Sequence, residues 1–207
     1  RYFAPGREAG QGAVVFEAGG ARFGILIGED AWFDEPAELA KAAGAQALCV
    51  LNASPFHLDK ADEREARMAE RARAVGLPLV YAHLTGGQDE IVFDGASFAV
   101  DARGQVVMRM ESFVESLGLL EIDEHVVGGA VAPRPSIEAQ AWAALVCGVR
   151  DYVGKNGFPG AIIGLSGGID SALVLAVAVD ALGPHRVRTV MMPSPYTADI
   201  PGIDARD

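Results

Sequence analysis

AIIGLSGGIDSALVLAVAVDAL, residues 161–182, carries the decision about fold class. Residues 161–165 form a short apolar run of strand length, and residues 166–171, SGGIDS, follow at once as a glycine turn. An apolar helix is predicted over 172–182, with Gly183 and Pro184 as its stop signal. Strand, glycine turn and helix start make a seat for anionic oxygen. The first-turn amides lack intrahelical acceptors, the helix dipole is positive there, and paired glycines let a ligand approach the backbone closely. Ser166 and Ser171 add hydroxyl donors. No lysine follows the glycines, so this is not a Walker A loop. It carries Asp170 instead, and a carboxylate beside a phosphate is repulsive unless a divalent cation bridges them, which points to Mg2+. A bland strand-to-helix turn with an Asp and a Ser near the helix cap is the competing interpretation.

Working outward, residues 187–192 (VRTVMM) read as the next parallel strand, followed by PSPYTADIPGIDARD. Upstream, residues 128–136 (GGAVAPRPS) have glycine and proline without periodicity and are the best linker candidate. Ser136 is placed to cap a helix over 137–153. Before the linker, strands and helices alternate. Strands are expected at 13–18 and 21–27 across a Gly19-Gly20 hairpin, and at 47–51 and 79–84. A strand over 91–100 pairs with 105–110 across Asp101–Gly104, and a last strand covers 117–122. Helices are expected at 36–43 and 59–75, the latter with Glu63 and Arg67 at pairing distance. Trp32 and Phe33 read as packing residues.

Composition narrows the function classes. The chain of 207 residues carries a net charge of −11, which argues against a nucleic-acid or anionic-membrane surface. No apolar run reaches the length of a membrane span, and no signal peptide is legible. The two cysteines, Cys49 and Cys147, sit in apolar runs and read as core thiols in a reducing, cytoplasmic compartment. The chain opens without methionine and closes inside a predicted helix, so it is expected to be an excerpt. The seventy-odd residues after 136 are too few to complete a doubly wound sheet.

The SGGIDS loop after a hydrophobic strand resembles the pyrophosphate loop of the ATP pyrophosphatases, among them NAD, GMP, asparagine and argininosuccinate synthetases. MPSPYTADI after the second strand resembles the NAD synthetases. Upstream, FGILIGEDAWF (23–33), NASPFH (52–57), GGQD (86–89) and VFDGASF (92–98) resemble, in order and spacing, the nitrilase-like glutaminase domain of glutamine-dependent NAD synthetases. The resemblance implies an α/β fold, with a portion of a nitrilase-like α-β-β-α sandwich over 1–127. A linker over 128–136 and the start of a doubly wound parallel, adenine nucleotide α-hydrolase-like domain over 137–207 would follow.

It also implies an activity. Glutamine hydrolysis would supply ammonia, and ATP would adenylate deamido-NAD with pyrophosphate release, so that ammonia completes NAD. The family's C-E-D motif puts its cysteine nucleophile where this chain has Gly28. Without a thiol no thioester can form. The family's glutamate and lysine lie upstream of that motif, and residues 1–27 hold no lysine. Gly28 is then either a substitution that disables hydrolysis and spares the pocket, or a natural variant fed by free ammonia. Ser54 and Lys60 match glutamine-contacting positions, and Glu29 is expected to shape that pocket. Ser54 as a turn cap before Pro55, and Lys60 as an exposed first-turn residue, are the plainer roles. Gly164, Leu165, Ser166, Gly167, Gly168, Ile169, Asp170, Ser171 and Met192 are expected to meet ATP, with Asp170 on the metal. Pro201 stands where the family is expected to have serine. The expected small-molecule partners are glutamine, ATP and deamido-NAD, with a homo-oligomer as the assembly and neither nucleic acid nor membrane involved. The alternatives are another amidotransferase with an SGGxDS loop and a non-catalytic nucleotide-binding module.

Overall fold

The first two strands are joined by the tightest connection an antiparallel pair allows. In the computed structural model, which describes residues 12–122 and 126–192, β1 (Val14–Ala18) turns through Gly19 and Gly20, both at positive φ, into β2 (Ala21–Ile27). From β2 the chain runs through a 3-10 turn (Gly28–Trp32) into α1 (Asp34–Ala42) and then β3 (Ala47–Asn52). α2 (Lys60–Val75) leads to β4 (Leu79–His83). Strands β2, β3 and β4 are parallel neighbours, each pair joined by a helical crossover. β7 (Phe98–Val100) and β8 (Val106–Arg109) complete a six-stranded sheet of order β1-β2-β3-β4-β7-β8.

Alternation along the strands puts Leu26, Leu48, Val50, Leu79, Tyr81, Phe98 and Val100 into one core with Ala37 and Ala40 of α1 and Met68, Ala72 and Val75 of α2. Close packing of α1 depends on Gly24, where an added Cβ would lie 2.7 Å from the Ala40 Cβ. α2 stops at Gly76, whose left-handed φ of 64° closes the helix. Its exposed ion pairs are Lys60–Glu63 and Arg67–Glu70, so the expected Glu63–Arg67 pair is not the one formed.

Two expected strands change. The run 91–100 is broken into β6 (Ile91–Asp94) and β7, because Gly95 and Ala96 both adopt positive φ. β6 pairs with β5 (Thr85–Gln88) in a separate two-stranded hairpin, so that the GGQD motif is strand and turn, with Asp89 at φ 52°. The run 117–122 is strand only at β9 (Glu121–Ile122), paired with β10 (Val126–Val127). Leu117 and Leu119 are 90% and 86% exposed, so the alternation there reflects no buried face.

The linker candidate is fastened along its length. Arg109 grips the Glu65 carboxylate with both Nε (2.6 Å) and Nη2 (2.9 Å) and donates to the Ala132 carbonyl (2.7 Å). Arg134 pairs with Asp62 (3.0 Å) and Glu65 (2.7 Å).

The structure divides into two compact units, residues 1–85 with 93–135, and residues 86–92 with 136–207. In the second, Ser136 caps α3 (Ile137–Lys155) by accepting from the Ala139 amide at 3.3 Å. β11 (Ala161–Gly164) and β12 (Val187–Val190) are parallel and joined by α4 (Ile169–Leu182), a β-α-β unit. α4 begins three residues earlier than expected, inside the SGGIDS motif, and ends at Gly183. Asp151 and Lys155 of α3 hold the backbone N–H and C=O of Gly87, the first at 2.7 Å. No helix among the described residues is long and apolar enough to cross a membrane.

Candidate active site

Three parallel strands end at one rim of the sheet, and a cleft of about 770 Å3 opens there in the first unit. Its walls come from Ile27–Glu29 after β2, Leu51–Pro55 after β3 and Ala82–Leu84 at the end of β4. Carboxyl ends of parallel strands are where loops diverge and leave room for ligands.

Gly28 occupies the sharp bend between β2 and the 3-10 turn, at φ +57°. A Cβ built there would meet only Asn52 Oδ1, at 3.9 Å, so the position has space for a side chain facing the cleft. The bend is fixed from both sides. Asp30 accepts the Ile27 amide at 3.1 Å. Arg71, buried on α2, donates to the carbonyls of Ala31 and Trp32, each at 3.3 Å, and pairs with Asp34. The segment that would present a nucleophile is therefore held rigidly, yet the chain supplies no nucleophilic atom there.

Glu29 and Ser54 both line this cleft with Gly28. Lys60 does not. It stands at the start of α2, 2.7 Å from Glu63 and 4.7 Å above the Trp32 ring, which Arg67 also approaches. Trp32 thus acts as a platform for two cations. Phe33, expected to pack, is 63% exposed. Cys49 lies mid-strand in β3, away from the cleft lining, and burial pushes its thiol up, against thiolate formation. Cys147 is buried in α3.

Beneath the cleft is a polar cluster that the sequence did not announce. Asn52 donates to Ser54 Oγ at 2.8 Å and to the Tyr81 hydroxyl. His83 places Nδ1 3.0 Å from the Gly95 carbonyl and Nε2 3.3 Å from both Ser54 Oγ and Arg64 Nη1. Arg64 in turn pairs with Asp94, both side chains 4% exposed. Burial first, and the Arg64 charge second, hold the His83 imidazole below its ordinary value, which keeps it neutral. Asp94 Oδ1 is buried without a hydrogen-bond partner and lies 3.6 Å from His83 Nδ1. Of this cluster only Ser54 is singled out by the sequence; Asn52 and Asp94 stand inside quoted motifs without a role, and Arg64 and His83 come from a helix face and a strand end.

In the second unit the SGGIDS residues form the junction of β11 and α4. Gly167 takes φ +79°, and Gly168 is the helix N-cap. Ser171 Oγ donates to the Gly168 carbonyl (2.8 Å), and Ser166 Oγ accepts the Gly168 amide (3.4 Å) and faces Ser171 Oγ at 3.1 Å. The two hydroxyls thus brace the turn. The amides of Ile169, Asp170 and Ser171 have no protein acceptor among the described residues, as helix starts leave them. Gly164 and Leu165 enter the turn from β11, and Met192 is close enough that a Gly164 Cβ would lie 2.9 Å from its Cε. Asp170 is exposed and forms no ion pair or hydrogen bond among the described residues. No group of three or more metal-ligating side chains exists among those residues. A lone carboxylate beside free amides fits Mg2+, which is commonly held by one or two carboxylates together with substrate phosphates. Residues 193–207, with the Pro193, Ser194 and Pro201 positions, lie outside the described residues.

Residues 2–130 match the carbon-nitrogen hydrolase family, and residues 141–206 match NAD synthase. The glutamine-dependent NAD(+) synthetase of Acinetobacter baylyi is 40% identical over 210 residues, covering all of this chain and 38% of that protein. Its counterpart from Xylella fastidiosa strain Temecula1 is 45% identical over 191 residues, covering 90% of this chain and 35% of that protein. The solved glutamine-dependent NAD+ synthetase of Acinetobacter baumannii in complex with ADP superposes with a TM-score of 0.88 at 41% identity, over 94% of this chain and 38% of that one. The chain therefore spans under two fifths of the length of these relatives.

Proposed function

This chain belongs to the carbon-nitrogen hydrolase family through residues 2–130, and on that premise we propose that it is part of a glutamine-dependent NAD synthetase whose glutamine-hydrolysing step is disabled at Gly28. The joining of an amidase-type cleft to an SGGIDS turn in one chain is the observation that carries this reading. Relatives named glutamine-dependent NAD(+) synthetase, one of them solved with ADP, support it. The amidase-like portion runs over 1–127, the connector over 128–136, and the synthetase portion from 137 onward. On the expectation carried by the family it would be a cytoplasmic homo-oligomer acting on small molecules, and two free cysteines fit a reducing compartment.

In the synthetase half, the nicotinate carboxylate of deamido-NAD attacks ATP and becomes an acyl adenylate, a far better electrophile than the carboxylate. The backbone amides of Ile169, Asp170 and Ser171 face the charge that gathers on departing pyrophosphate. Because the turn is already braced by Ser166 and Ser171, those dipoles need little rearrangement as that charge develops. Asp170 would hold Mg2+, which neutralises phosphate charge when bound. Ammonia then displaces AMP to give the amide.

In the amidase half, Ser54 and Glu29 line a cleft with room for glutamine, and Gly28 leaves it without a nucleophile. Lys60 would reach glutamine only after leaving Glu63 and Trp32.

The full-length protein given deamido-NAD, Mg-ATP and ammonium should form NAD, AMP and pyrophosphate. With glutamine in place of ammonium, it should form neither NAD nor glutamate. ADP as the nucleotide product, or no nucleotide turnover with ammonium, would overturn the reading.

A further inference from the structure

A cavity of about 330 Å3 opens between the starts of β11 and β12 in the second unit. Its lining joins three basic side chains, His185, Arg186 and Arg188, to the apolar Pro159, Ala161 and Ile162, with no carboxylate among the described residues. The SGGIDS turn follows Gly164 at the carboxyl end of β11, whereas this cavity borders the amino end of that strand, so the two share no residue. Residues 136–192 contain four lysines and arginines, and two of them line this one cavity, in a chain of net charge −11. The other two, Arg150 and Lys155, are engaged by Asp151 and the Gly87 carbonyl.

Arg186 is fixed before any ligand arrives. Its Nε donates to the Pro159 carbonyl at 3.0 Å, and its Nη2 donates to the Phe158 carbonyl at 2.8 Å. Neutral carbonyls leave the positive charge uncancelled, and two bonds leave three of the five guanidinium N–H groups for a ligand. The backbone below is constrained too, because a Cβ added to Gly160 would strike the Arg186 carbonyl oxygen. Arg188, opposite Ile162 in the parallel register, reaches the same cavity. His185 and Arg188 make no hydrogen bond or ion pair among the described residues. Basic groups gathered without a counter-ion repel one another, and an anion seated between them turns that repulsion into attraction.

We propose that this cavity is a second anion site, separate from the SGGIDS turn, and that it takes the phosphate group of a small molecule. Planar guanidinium forks match phosphate oxygens, the His185 ring adds an N–H donor, and Pro159 and Ile162 offer an apolar wall to whatever carries the phosphate. The field of the whole chain repels anions, so the attraction is local and weakens as salt rises. The assignment does not depend on the activity proposed above.

Inorganic phosphate, titrated into the full-length protein at low ionic strength in EDTA, is the test. The readout is the NMR signals of the His185 ring, identified by their loss in His185→Gln. In the parent these signals should shift and saturate. Arg188→Ala should raise the midpoint at least about tenfold, the scale of one charge-assisted hydrogen bond, and Arg188→Lys by less. Both variants should melt with the parent in phosphate-free buffer, since Arg188 has no protein partner among the described residues. Asp170→Asn should leave the His185 titration unchanged, because that carboxylate belongs to the other site. Adenosine monophosphate as a second probe separates the sources: a midpoint below that of phosphate assigns the cavity to an organic phosphate, and an equal or higher one to the free ion. Unmoved His185 signals, equal midpoints in the parent and Arg188→Ala, or the same shift from sodium chloride at matched ionic strength would overturn the assignment.

Discussion

Arg64 and Asp94 form an ion pair under the cleft floor with each side chain only 4% exposed. Neither charge has water to fall back on. Removing one partner leaves the other buried and unpaired, which typically costs about 3–5 kcal/mol. Asp94→Ala and Arg64→Met should each lower the unfolding free energy by that order in urea titrations. The double substitution to apolar residues should recover much of the loss. A single-variant effect below about 1 kcal/mol would mean that the pair is wetter than its exposure indicates.

That pair also marks where sequence reading stopped. Positions whose role is set by local backbone were legible: the Gly19-Gly20 hairpin, Gly76 closing α2, Ser136 capping α3 and Gly183 closing α4 all depend on neighbours within a few residues. The cleft residues Gly28, Glu29 and Ser54 were legible because they follow strands in motif order. The Arg64–His83–Asp94 cluster was not, since its members lie on α2, β4 and β6 and meet only after the sheet forms. Lys60 shows a second limit: its motif position suggests the ligand, and a motif alone could not show that the same cation stands 2.7 Å from Glu63 and 4.7 Å above the Trp32 ring. The expected strand over 117–122 failed because alternation of apolar residues counts only when a face is buried, and Leu117 and Leu119 are exposed.

His83 gives the fold a dependence on pH with a definite sign. Its pKa is lowered from 6.5 in the folded state, by burial and then by Arg64, with Asp94 opposing in part. The unfolded chain therefore takes up the proton first as pH falls. The stability it contributes is complete above about pH 6.5 and declines below it, until the folded imidazole also protonates. The groups facing it are Arg64, Asp94 and the stacked Tyr81 ring, and burial pushes the Tyr81 phenol up, so Tyr81 does not ionise in this window. Melting temperatures between pH 7.5 and 5.5 should fall more in the parent than in His83→Gln. Equal slopes would show that His83 is not the titrating group.

Gly28→Cys joins a small cost to a gain. The residue would sit at φ +57°, which costs an L side chain about 1–2 kcal/mol. Its Cβ would meet nothing closer than Asn52 Oδ1 at 3.9 Å, so no steric term is added. The full-length variant should melt a few degrees lower and release glutamate from glutamine faster than the parent. A stable variant without glutamate release would show that position 28 is not where the amidase nucleophile belongs.

Asp151 fastens the 86–92 segment to α3 within the second unit. Its carboxylate accepts the Gly87 amide at 2.7 Å, and an added Cβ on Gly87 would lie 3.2 Å from the Asp151 Cβ and 3.3 Å from the Gly148 Cα. Asp151→Ala removes a charge-assisted bond of about 1.5–3 kcal/mol and should speed amide exchange at Gly87 by one to two orders of magnitude. Unchanged exchange there would assign the protection to Lys155 and to packing.

Asp170 separates binding chemistry from folding more cleanly than any other residue of the turn. Its carboxylate is exposed and has no protein partner among the described residues, so Asp170→Asn should leave the melting temperature in place. The amides of Ile169 and Ser171 would still be free to meet phosphate, so ATP without metal should bind the variant at least as well as the parent, a carboxylate having been removed from beside an anion. What should be lost is the increment that Mg2+ adds. Nucleotide titrations in Mg2+ and in EDTA should give the parent a clear ratio of affinities, and the variant a ratio near one, with pyrophosphate release abolished. A variant whose Mg2+ ratio equals that of the parent would take the metal away from Asp170 and leave the turn a purely backbone phosphate seat.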